Sequence, residues 1–572
     1  MKLHRKAGLV VAVAALSATA VYAIPSANAA NASWNGPAPT VAGAVSGGTL
    51  NILEQGDFEH VDPARNYVGG TLDFYRFFIR TLTQYRTYNG KTELVPDLAS
   101  DLGTTKDGGL NWTFKLRSGI KYEDGTTATC ADMKYGIERT YNDDVLDGGT
   151  TYAHDFLANP TGYAGPYTTP TKDLTSVTCS GDSISFKLAQ KVPYFPYVTT
   201  FGAFSPIPVA KDTKQNYDLH PMSTGPYKIE SYDRGKQMTL VRNSYWDPKT
   251  DPLRHDFPDT IKVKFGFEQN ALEQQLISDS GDAKTAISTD TQVITNIGSV
   301  VGNAKYAGRF FGFDSPYARY LAINMDKVKN SNVRKAIQCA IDLKTVLLAA
   351  GGAAAGSYAN SLIPSNVDPA YRNFQVCGRD VHKNPEAQIA TAKKYLAGVT
   401  KAQKNLILAY RDKGVEPQRA AAAQAALQAV GFKVTMQKLP RAGYYTAIGK
   451  RGVANEPDVI QTSWGFDWPA ASGIVYALLD GRTMTKGDSH SNYSRQNVPG
   501  IQALFRNADK ASSIDAQETQ LGDIEQKLIQ DYAAVVPTYI ETSNFIVGSG
   551  LGGVQADGGY GTISPINAYV KK

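Results

Sequence analysis

The sequence has few of the side chains that carry metal or nucleophilic chemistry. It contains four cysteines and seven histidines among 572 residues, and no Cys-x-x-Cys pair occurs. The Gly-x-Ser-x-Gly motif of serine hydrolases and the His-Glu-x-x-His motif of zinc peptidases are both absent. We therefore predict no metal, no cofactor and no enzymatic activity, with a secreted peptidase or glycosidase as the alternative of a different class.

Dense basic clusters and long apolar runs are also missing. Charged residues make up 20% of the chain and hydrophobic residues 42%, which is typical of a soluble globular protein. The absence of a Lys/Arg stripe argues against nucleic acid as a partner. Beyond the N-terminus, no stretch reaches the roughly 20 apolar residues that span a membrane.

The first residues have the pattern of a secretory signal peptide, which we place at 1–29. Lys2, Arg5 and Lys6 precede an apolar, Ala-rich stretch, and Ala27-Asn28-Ala29 fits a small-x-small cleavage site. Loss of these three cations reduces the net charge from +6 to +3. No cysteine lies in this region, so we expect a secreted protein rather than a lipid-anchored one; an uncleaved anchor helix is the alternative. Residues 30–46 read as a linker.

The cysteines are even in number, which in an exported chain indicates disulfides. Three connectivities are possible. We favour the local pairing, Cys130 with Cys179 and Cys339 with Cys377, over distant pairs or buried free thiols.

A β-α-β unit is the clearest local pattern. The apolar run 406–410 predicts a buried strand, Glu416-Pro417 opens an Ala-rich helix that stops at Gly431, and 432–437 alternate as a strand. This order predicts parallel strands. A third strand at 458–463 leads into the loop 464–469, where open α/β sheets bind ligands.

Four further elements follow from shorter patterns. We predict a first strand at 49–53, a hairpin within 113–125, a helix with one buried stripe at 333–341, and a helix start at Asn384-Pro385.

Several short segments recur in the order seen in one protein family. They are Asp62-Pro63-Ala64, Leu94-Val95-Pro96-Asp97-Leu98-Ala99, the run 113–125, Thr224-Gly225-Pro226-Tyr227, Arg242-Asn243-Ser244-Tyr245-Trp246, Tyr320-Leu321-Ala322-Ile323-Asn324, and 333–342. Together they make the chain resemble the peptide/nickel class (family 5) of extracellular solute-binding proteins, the capture subunits of ABC importers. The resemblance covers about residues 49–550.

The resemblance implies a two-lobed, periplasmic-binding-protein-like α/β fold with an extra domain inserted in the first lobe. We place lobe I at 47–85, 205–318 and 535–572, the inserted domain at 86–204, and lobe II at 319–534. The segment Thr224–Tyr227, with Asn243 and Trp246, is expected to be structural.

The loop after the third strand carries the leading candidates for ligand binding. In peptide-binding relatives the Asp matching Asp467 receives the ligand's α-ammonium, which a carboxylate in a closed cleft can do through charge-assisted hydrogen bonds. Trp464, Phe466 and Trp468 flank it and could stack on a ligand, although any one of them could instead be a core residue.

Other candidates lie outside this loop. Asn66 and Tyr67 follow the Asp62-Pro63 turn, and Tyr317 and Tyr320 precede a strand near the expected hinge. The alternative for Asn66 and Tyr67 is a solvated loop, and the alternative for Tyr317 and Tyr320 is packing in the core. A ligand carboxylate could meet one of three arginines, among which the sequence does not choose: Arg309, Arg319 and Arg441.

The resulting hypothesis is a secreted, monomeric substrate-binding subunit that captures oligopeptides and delivers them to a membrane permease with an ATPase. A metal chelate such as a nickel complex, or an oligosaccharide, is the alternative ligand. A peptide-sensing receptor without an import role is the alternative function.

Overall fold

The computed structural model describes residues 35–572, apart from 89–90, 143–144, 147–148, 366, 368, 413–414, 441–443 and 512. The predicted signal peptide and Arg441 lie outside these residues. No helix of the described part is long and apolar enough to cross a membrane.

Twenty strands are distributed along the described chain. They are β1 Thr49–Leu53, β2 Thr83–Tyr88, β3 Lys91–Pro96, β4 Asn111–Lys115, β5 Val177–Ser180, β6 Ser183–Lys187, β7 Tyr227–Asp233, β8 Gln237–Arg242, β9 Thr260–Lys264, β10 Ala286–Ile287, β11 Phe310–Ile323, β12 Gly356–Tyr358, β13 Asn405–Arg411, β14 Lys433–Leu439, β15 Val459–Gly465, β16 Val535–Ile546, β17 Leu551–Gly552, β18 Gln555–Asp557, β19 Thr562–Ser564 and β20 Tyr569–Val570.

Fifteen α-helices accompany the strands in the described residues. They are α1 Gly69–Phe74, α2 Cys130–Arg139, α3 Tyr152–Phe156, α4 Gly165–Thr168, α5 Phe195–Val198, α6 Gln269–Ser278, α7 Ile297–Val300, α8 Ser331–Ala340, α9 Leu343–Ala350, α10 Ile389–Tyr395, α11 Glu416–Ala429, α12 Tyr444–Gly449, α13 Ser472–Leu479, α14 Pro499–Ala508 and α15 Ile514–Gln530.

Lobe I is built on a five-stranded sheet in the order β10-β1-β9-β8-β7. The predicted first strand, β1, is an inner strand of this sheet and pairs in parallel with both β10 and β9. The apolar side chains of this sheet belong to a core that also includes residues of the inserted segment, such as Trp112 and Phe195.

Lobe II is built on a six-stranded sheet in the order β12-β16-β11-β15-β13-β14. The predicted β-α-β unit is confirmed, because β13 and β14 pair in parallel on either side of α11, and β15 pairs in parallel with β13. Helix α11 ends at Ala429, and Gly431 takes a φ of +106°, which suits a glycine after a helix. The predicted stripe of α8 is buried in the same core.

Two long antiparallel strands, β11 and β16, connect the lobes. Within β16, Phe545 belongs to the core of lobe I, whereas Val535 and Ile540 belong to that of lobe II. The register between β11 and β16 shifts between Asp314 and Ala318, which marks a bulge where the chain passes from one lobe to the other.

The inserted segment contains a three-stranded sheet in the order β4-β6-β5. The predicted hairpin within 113–125 is wrong, because β4 pairs with β6 instead. The segment that follows β4 forms two isolated bridges, Leu116 to Ala99 and Lys121 to Thr127. The turn at Asp124-Gly125 is present.

The helix start predicted at Asn384-Pro385 is also wrong, since α10 begins at Ile389. The preceding segment is bound to the junction of α8 and α9 instead. Leu343 donates to the Pro385 carbonyl over 3.0 Å, and Ala387 donates to the Asp342 carboxylate over 3.1 Å.

The predicted local disulfides are both present. Cys130, at the first turn of α2, is joined to Cys179 in β5, and Cys339 in α8 is joined to Cys377. The lobe boundaries given above stay a prediction.

The residues expected to be structural have structural contacts. A Cβ on Gly225 would come within 2.6 Å of the Phe77 carbonyl oxygen, so only glycine fits there. Asn243 donates to the Gly225 carbonyl over 3.0 Å, and the Trp246 indole donates to Asp251 over 3.0 Å.

Candidate functional site

A cavity of about 400 Å³ lies between the lobes, beside strand β11. Both lobes and the inserted segment contribute to its wall. The lining residues are Tyr67, Gly69, Leu72, Phe201, Pro316, Tyr317, Tyr445, Ser463, Trp464, Gly465, Phe466, Asp467, Ser491, Tyr493, Gly559 and Tyr560. The size falls in the range of roughly 300–1,000 Å³ that is usual for small-molecule sites.

The loop from β15 to α13 brings Asp467 to the cavity wall. β15 is an inner strand of the lobe II sheet, and Asp467 follows its carboxyl end by two residues. The site therefore lies where the topology of an open α/β sheet places ligands.

The Asp467 carboxylate accepts a hydrogen bond from the hydroxyl of Tyr67, which comes from lobe I. The Tyr67 hydroxyl lies 3.2 Å from that of Tyr152, in the inserted segment. Three distant parts of the chain thus meet at one acid.

Burial raises the pKa of Asp467 above its ordinary range, and hydrogen bonding from the Tyr67 and Tyr152 hydroxyls opposes this rise. Burial also raises the pKa of Tyr67, and the charge of Asp467 adds to the rise, so Tyr67 stays a neutral donor. Asp467 is the only charged side chain among the described residues that line the cavity. The site can therefore neutralise one positive group of a ligand.

The aromatic residues around Asp467 divide between two environments. Trp464 and Phe466 line the cavity. Trp468 is only 4% exposed and faces away from it, where it stacks on Tyr194 with ring centroids 5.3 Å apart. The Trp468 indole also donates to Ser472 Oγ, at the start of α13, over 2.8 Å. Trp468 therefore packs against the inserted segment and is held by α13, rather than lining the cavity.

Of the two hinge tyrosines, the structure places one at the cavity. Tyr317 lines it, whereas Tyr320 is 1% exposed and packs in the core of lobe II. The two residues are three positions apart in one strand, and successive side chains of a strand point to opposite faces, so both could not face the same cavity.

Asn66, Arg309 and Arg319 also lie away from the cavity lining. Asn66 is buried and accepts a hydrogen bond from the Val68 amide over 3.1 Å. Arg309 pairs with Asp279, at 3.5 Å. Arg319 pairs with Glu541 and with Glu416, the latter at 2.9 Å.

Comparison with known proteins identifies the family. Residues 93–486 match the bacterial extracellular solute-binding proteins, family 5, over its middle part. The chain belongs to this family. It is therefore a binding protein of the extracellular solute-binding class and not an enzyme.

Two curated relatives from Escherichia coli K12 align with this family 5 protein over most of its length. The probable D,D-dipeptide-binding periplasmic protein DdpA is 24% identical over 523 residues, which is 89% of this chain and 91% of DdpA. The periplasmic murein peptide-binding protein MppA is 24% identical over 473 residues, which is 80% of this chain and 82% of MppA.

Solved structures show the same two-lobed fold. The clavulanic acid biosynthesis oligopeptide binding protein 2 superposes with a TM-score of 0.82 at 24% identity, covering 94% of this chain and 99% of that one. Helicobacter pylori DppA, in complex with the peptide STSA, superposes with a TM-score of 0.65 at 18% identity, covering 92% and 99%.

Sequence reasoning missed several residues at the site of this family 5 protein. They are Tyr152 beside Asp467 and the lining residues Phe201, Tyr445, Tyr493 and Tyr560. Each lies in a segment outside the 464–469 loop, and no local pattern marks it. Among the described residues, no cluster of His, Cys, Asp and Glu could hold a metal ion.

Proposed function

We propose that this family 5 protein captures oligopeptides by their N-terminus in the cavity between the lobes and delivers them to an ABC importer. The position of Asp467, as the one charge of an otherwise uncharged described lining, is the observation that carries the proposal. The names of its relatives agree with it: DdpA is described as dipeptide-binding, MppA as murein peptide-binding, and the Helicobacter pylori DppA structure contains a peptide.

A peptide α-ammonium suits this position because it is a compact cation with three donors. In a cavity closed to water, a charge-assisted hydrogen bond to Asp467 is strong, typically about 1.5–3 kcal/mol. The charge would also relieve the cost of keeping the carboxylate ionised, a cost that the raised pKa reflects. The ammonium would then share Asp467 with the Tyr67 hydroxyl or displace it.

The rest of the ligand would meet aromatic rings and a few hydroxyls. Ser463 and Ser491 are the lining residues that offer hydroxyl groups on short side chains. No Lys or Arg lines the cavity among the described residues, so we expect the ligand's carboxylate to contribute less to affinity than its ammonium.

The wider role follows from the family. The protein would be exported by the signal peptide proposed at 1–29 and act as a monomer. The lobes would close over the ligand about β11 and β16, and the closed form would dock on a membrane permease served by an ATPase.

Calorimetric titration of one tripeptide in three forms tests this proposal: free, N-acetylated and C-amidated. Acetylation and the substitution Asp467→Asn should each weaken binding by roughly 10- to 150-fold. Together they should weaken it little further, since both remove the same interaction. Amidation should have a small effect.

Asp233→Asn is the matched control, because Asp233 is an exposed carboxylate at the end of β7. Equal binding of free and acetylated peptides would refute N-terminal capture. Binding of a nickel chelate or an oligosaccharide in place of every peptide would refute the ligand class.

A further inference from the structure

Tyr317 and Gly465 lie opposite each other at the edge of the cavity. They are partners in the antiparallel register of β11 and β15, and both line the cavity. A Cβ built on Gly465 would come within 2.6 Å of the Tyr317 ring, a distance that side chains essentially never adopt. The ring therefore lies directly over the glycine, and position 465 leaves room for it only because it has no side chain.

The hinge bulge positions this ring. Tyr317 lies where the register of β11 and β16 shifts between Asp314 and Ala318, and such bulges redirect side chains. Two hydrogen bonds fix the segment locally. The Tyr317 amide donates to Ser315 Oγ over 3.2 Å, and the Phe466 amide donates to the Pro316 carbonyl over 3.4 Å.

The outer face of the ring is open. Tyr317 lines the cavity and is 43% exposed. One face of this aromatic ring packs on the backbone at Gly465. The other face is exposed, so a ligand can cover it.

This surface lies next to the proposed ammonium site. Gly465 precedes Asp467 by two residues, and Tyr317 contributes to the raised pKa of Tyr67, the residue that donates to Asp467. In a peptide whose ammonium is held by Asp467, the side chain of the first residue branches from the carbon next to that ammonium. It is the ligand side chain that starts closest to Asp467, and Tyr317 lines the same cavity.

We propose that the Tyr317 ring, supported by Gly465, is the shelf on which the side chain of the ligand's first residue stacks, and that it selects peptides with an aromatic N-terminal residue. This inference rests on the proposed function. Offset or edge-to-face aromatic pairs contribute beyond burial of area, so an aromatic side chain should be preferred over a saturated ring of the same size.

Calorimetry with matched tripeptides isolates the ring contact. Phe-Ala-Ala and cyclohexylalanine-Ala-Ala have first side chains of similar size, but only the first is aromatic. The wild-type protein should bind Phe-Ala-Ala roughly 2- to 12-fold more tightly. Tyr317→Leu should abolish this preference, Tyr317→Phe should keep it, and Gly465→Ala should reduce it by displacing the ring.

Tyr245→Ala is the control. Tyr245 is a tyrosine of similar exposure, 46%, whose ring also lies over a glycine, Gly125, but outside the cavity lining. Circular dichroism and the affinity for Ala-Ala-Ala report whether each variant folds. If Gly465→Ala fails to fold, Tyr317→Leu and Tyr317→Phe still test whether the ring of residue 317 causes the aromatic preference.

The outcomes separate this inference from the proposed function. If tripeptides bind through their ammonium without an aromatic preference, or if Tyr317→Leu retains the preference, the shelf is refuted and N-terminal capture stands. If no tripeptide binds, or if acetylation has no effect, the proposed function itself fails.

Discussion

The hydroxyl of Tyr67 in lobe I donates a hydrogen bond to the carboxylate of Asp467 in lobe II. This bond crosses the cleft at the cavity, so it links the two lobes where a ligand would enter between them. It also gives the half-buried carboxylate a donor when no cation is present, and a buried acceptor without a partner is costly. We therefore expect this contact to favour closure of the lobes.

Tyr67→Phe removes this hydroxyl and should make the ligand-free protein more open. Small-angle X-ray scattering should then give a larger radius of gyration than wild type without peptide, and the same value with saturating peptide, because the ammonium replaces the lost donor. Tyr245→Phe should match wild type in both states. A ligand-free Tyr67→Phe protein with an unchanged radius would contradict the role of the bond in closure.

Peptide affinity should have a bell-shaped dependence on pH. The ammonium pairs with ionised Asp467, and burial raises the pKa of this carboxyl, so affinity should fall on acidification at a higher pH than for an exposed Asp with a pKa of about 3.9. On the alkaline side, affinity should fall as the peptide amine loses its proton near pH 7.7–8.0.

Calorimetry across pH 4–9 checks this dependence. In Asp467→Asn both limbs should be strongly reduced, because the ammonium–carboxylate pair whose two partners titrate is no longer formed. An acidic limb of unchanged shape in the variant would assign the titration to another group.

The parts of the fold that the sequence predicted correctly are those set by local patterns. The unit β13-α11-β14 follows from an apolar run, an Ala-rich helix and a terminating glycine within about 35 residues. The prediction of a hairpin within 113–125 was wrong because β4 pairs with β6, at 183–187. Pairings between segments so distant in sequence produce no local pattern.

The residues of the candidate site divide in the same way between those that a local pattern predicts and those that tertiary packing brings in. A topological rule placed Asp467, Trp464 and Phe466 near a cavity because they lie at, or just after, the carboxyl end of β15. Tyr152 and Tyr560 approach from other domains, and their positions depend on tertiary packing. Alternation within one strand could have separated Tyr317 from Tyr320 in advance.

The two disulfides should stabilise the fold without affecting the cavity. They close loops of 49 and 38 residues, for which loop entropy gives about 4 kcal/mol each. Replacing either pair by alanine should lower the melting temperature in calorimetry. Peptide affinity at 25 °C should stay within about twofold of wild type, since no cysteine lines the cavity among the described residues. A loss of affinity in a still-folded variant would contradict this separation.

Three buried carboxyls should make stability fall as pH rises through neutrality. Burial raises the pKa of Glu54, Glu518 and Glu525 from 4.5 to about 7 each. Their partners are hydroxyls and backbone amides: Ser288 and Thr289 for Glu54, Ser472 for Glu518, and Ser361 and Leu362 for Glu525.

The sign follows from proton linkage. Between pH 4.5 and 7 the folded protein holds protons on these groups that the unfolded chain has released, so the free energy of unfolding falls as pH rises through this window. Each group contributes up to about 3 kcal/mol to the fall, the equivalent of its pKa difference between the two states.

Melting temperatures of wild type and of Glu54→Gln, Glu518→Gln and Glu525→Gln at pH 5 and pH 8 test this linkage. Each glutamine variant should lose less stability than wild type between the two pH values, whatever its absolute melting temperature, because a neutral side chain replaces one that ionises. Glu268→Gln is the control, since Glu268 is exposed and should leave the pH difference unchanged. A wild-type melting temperature that rises between pH 5 and pH 8, with parallel behaviour in all variants, would show that these carboxyls are ionised in the fold at little cost.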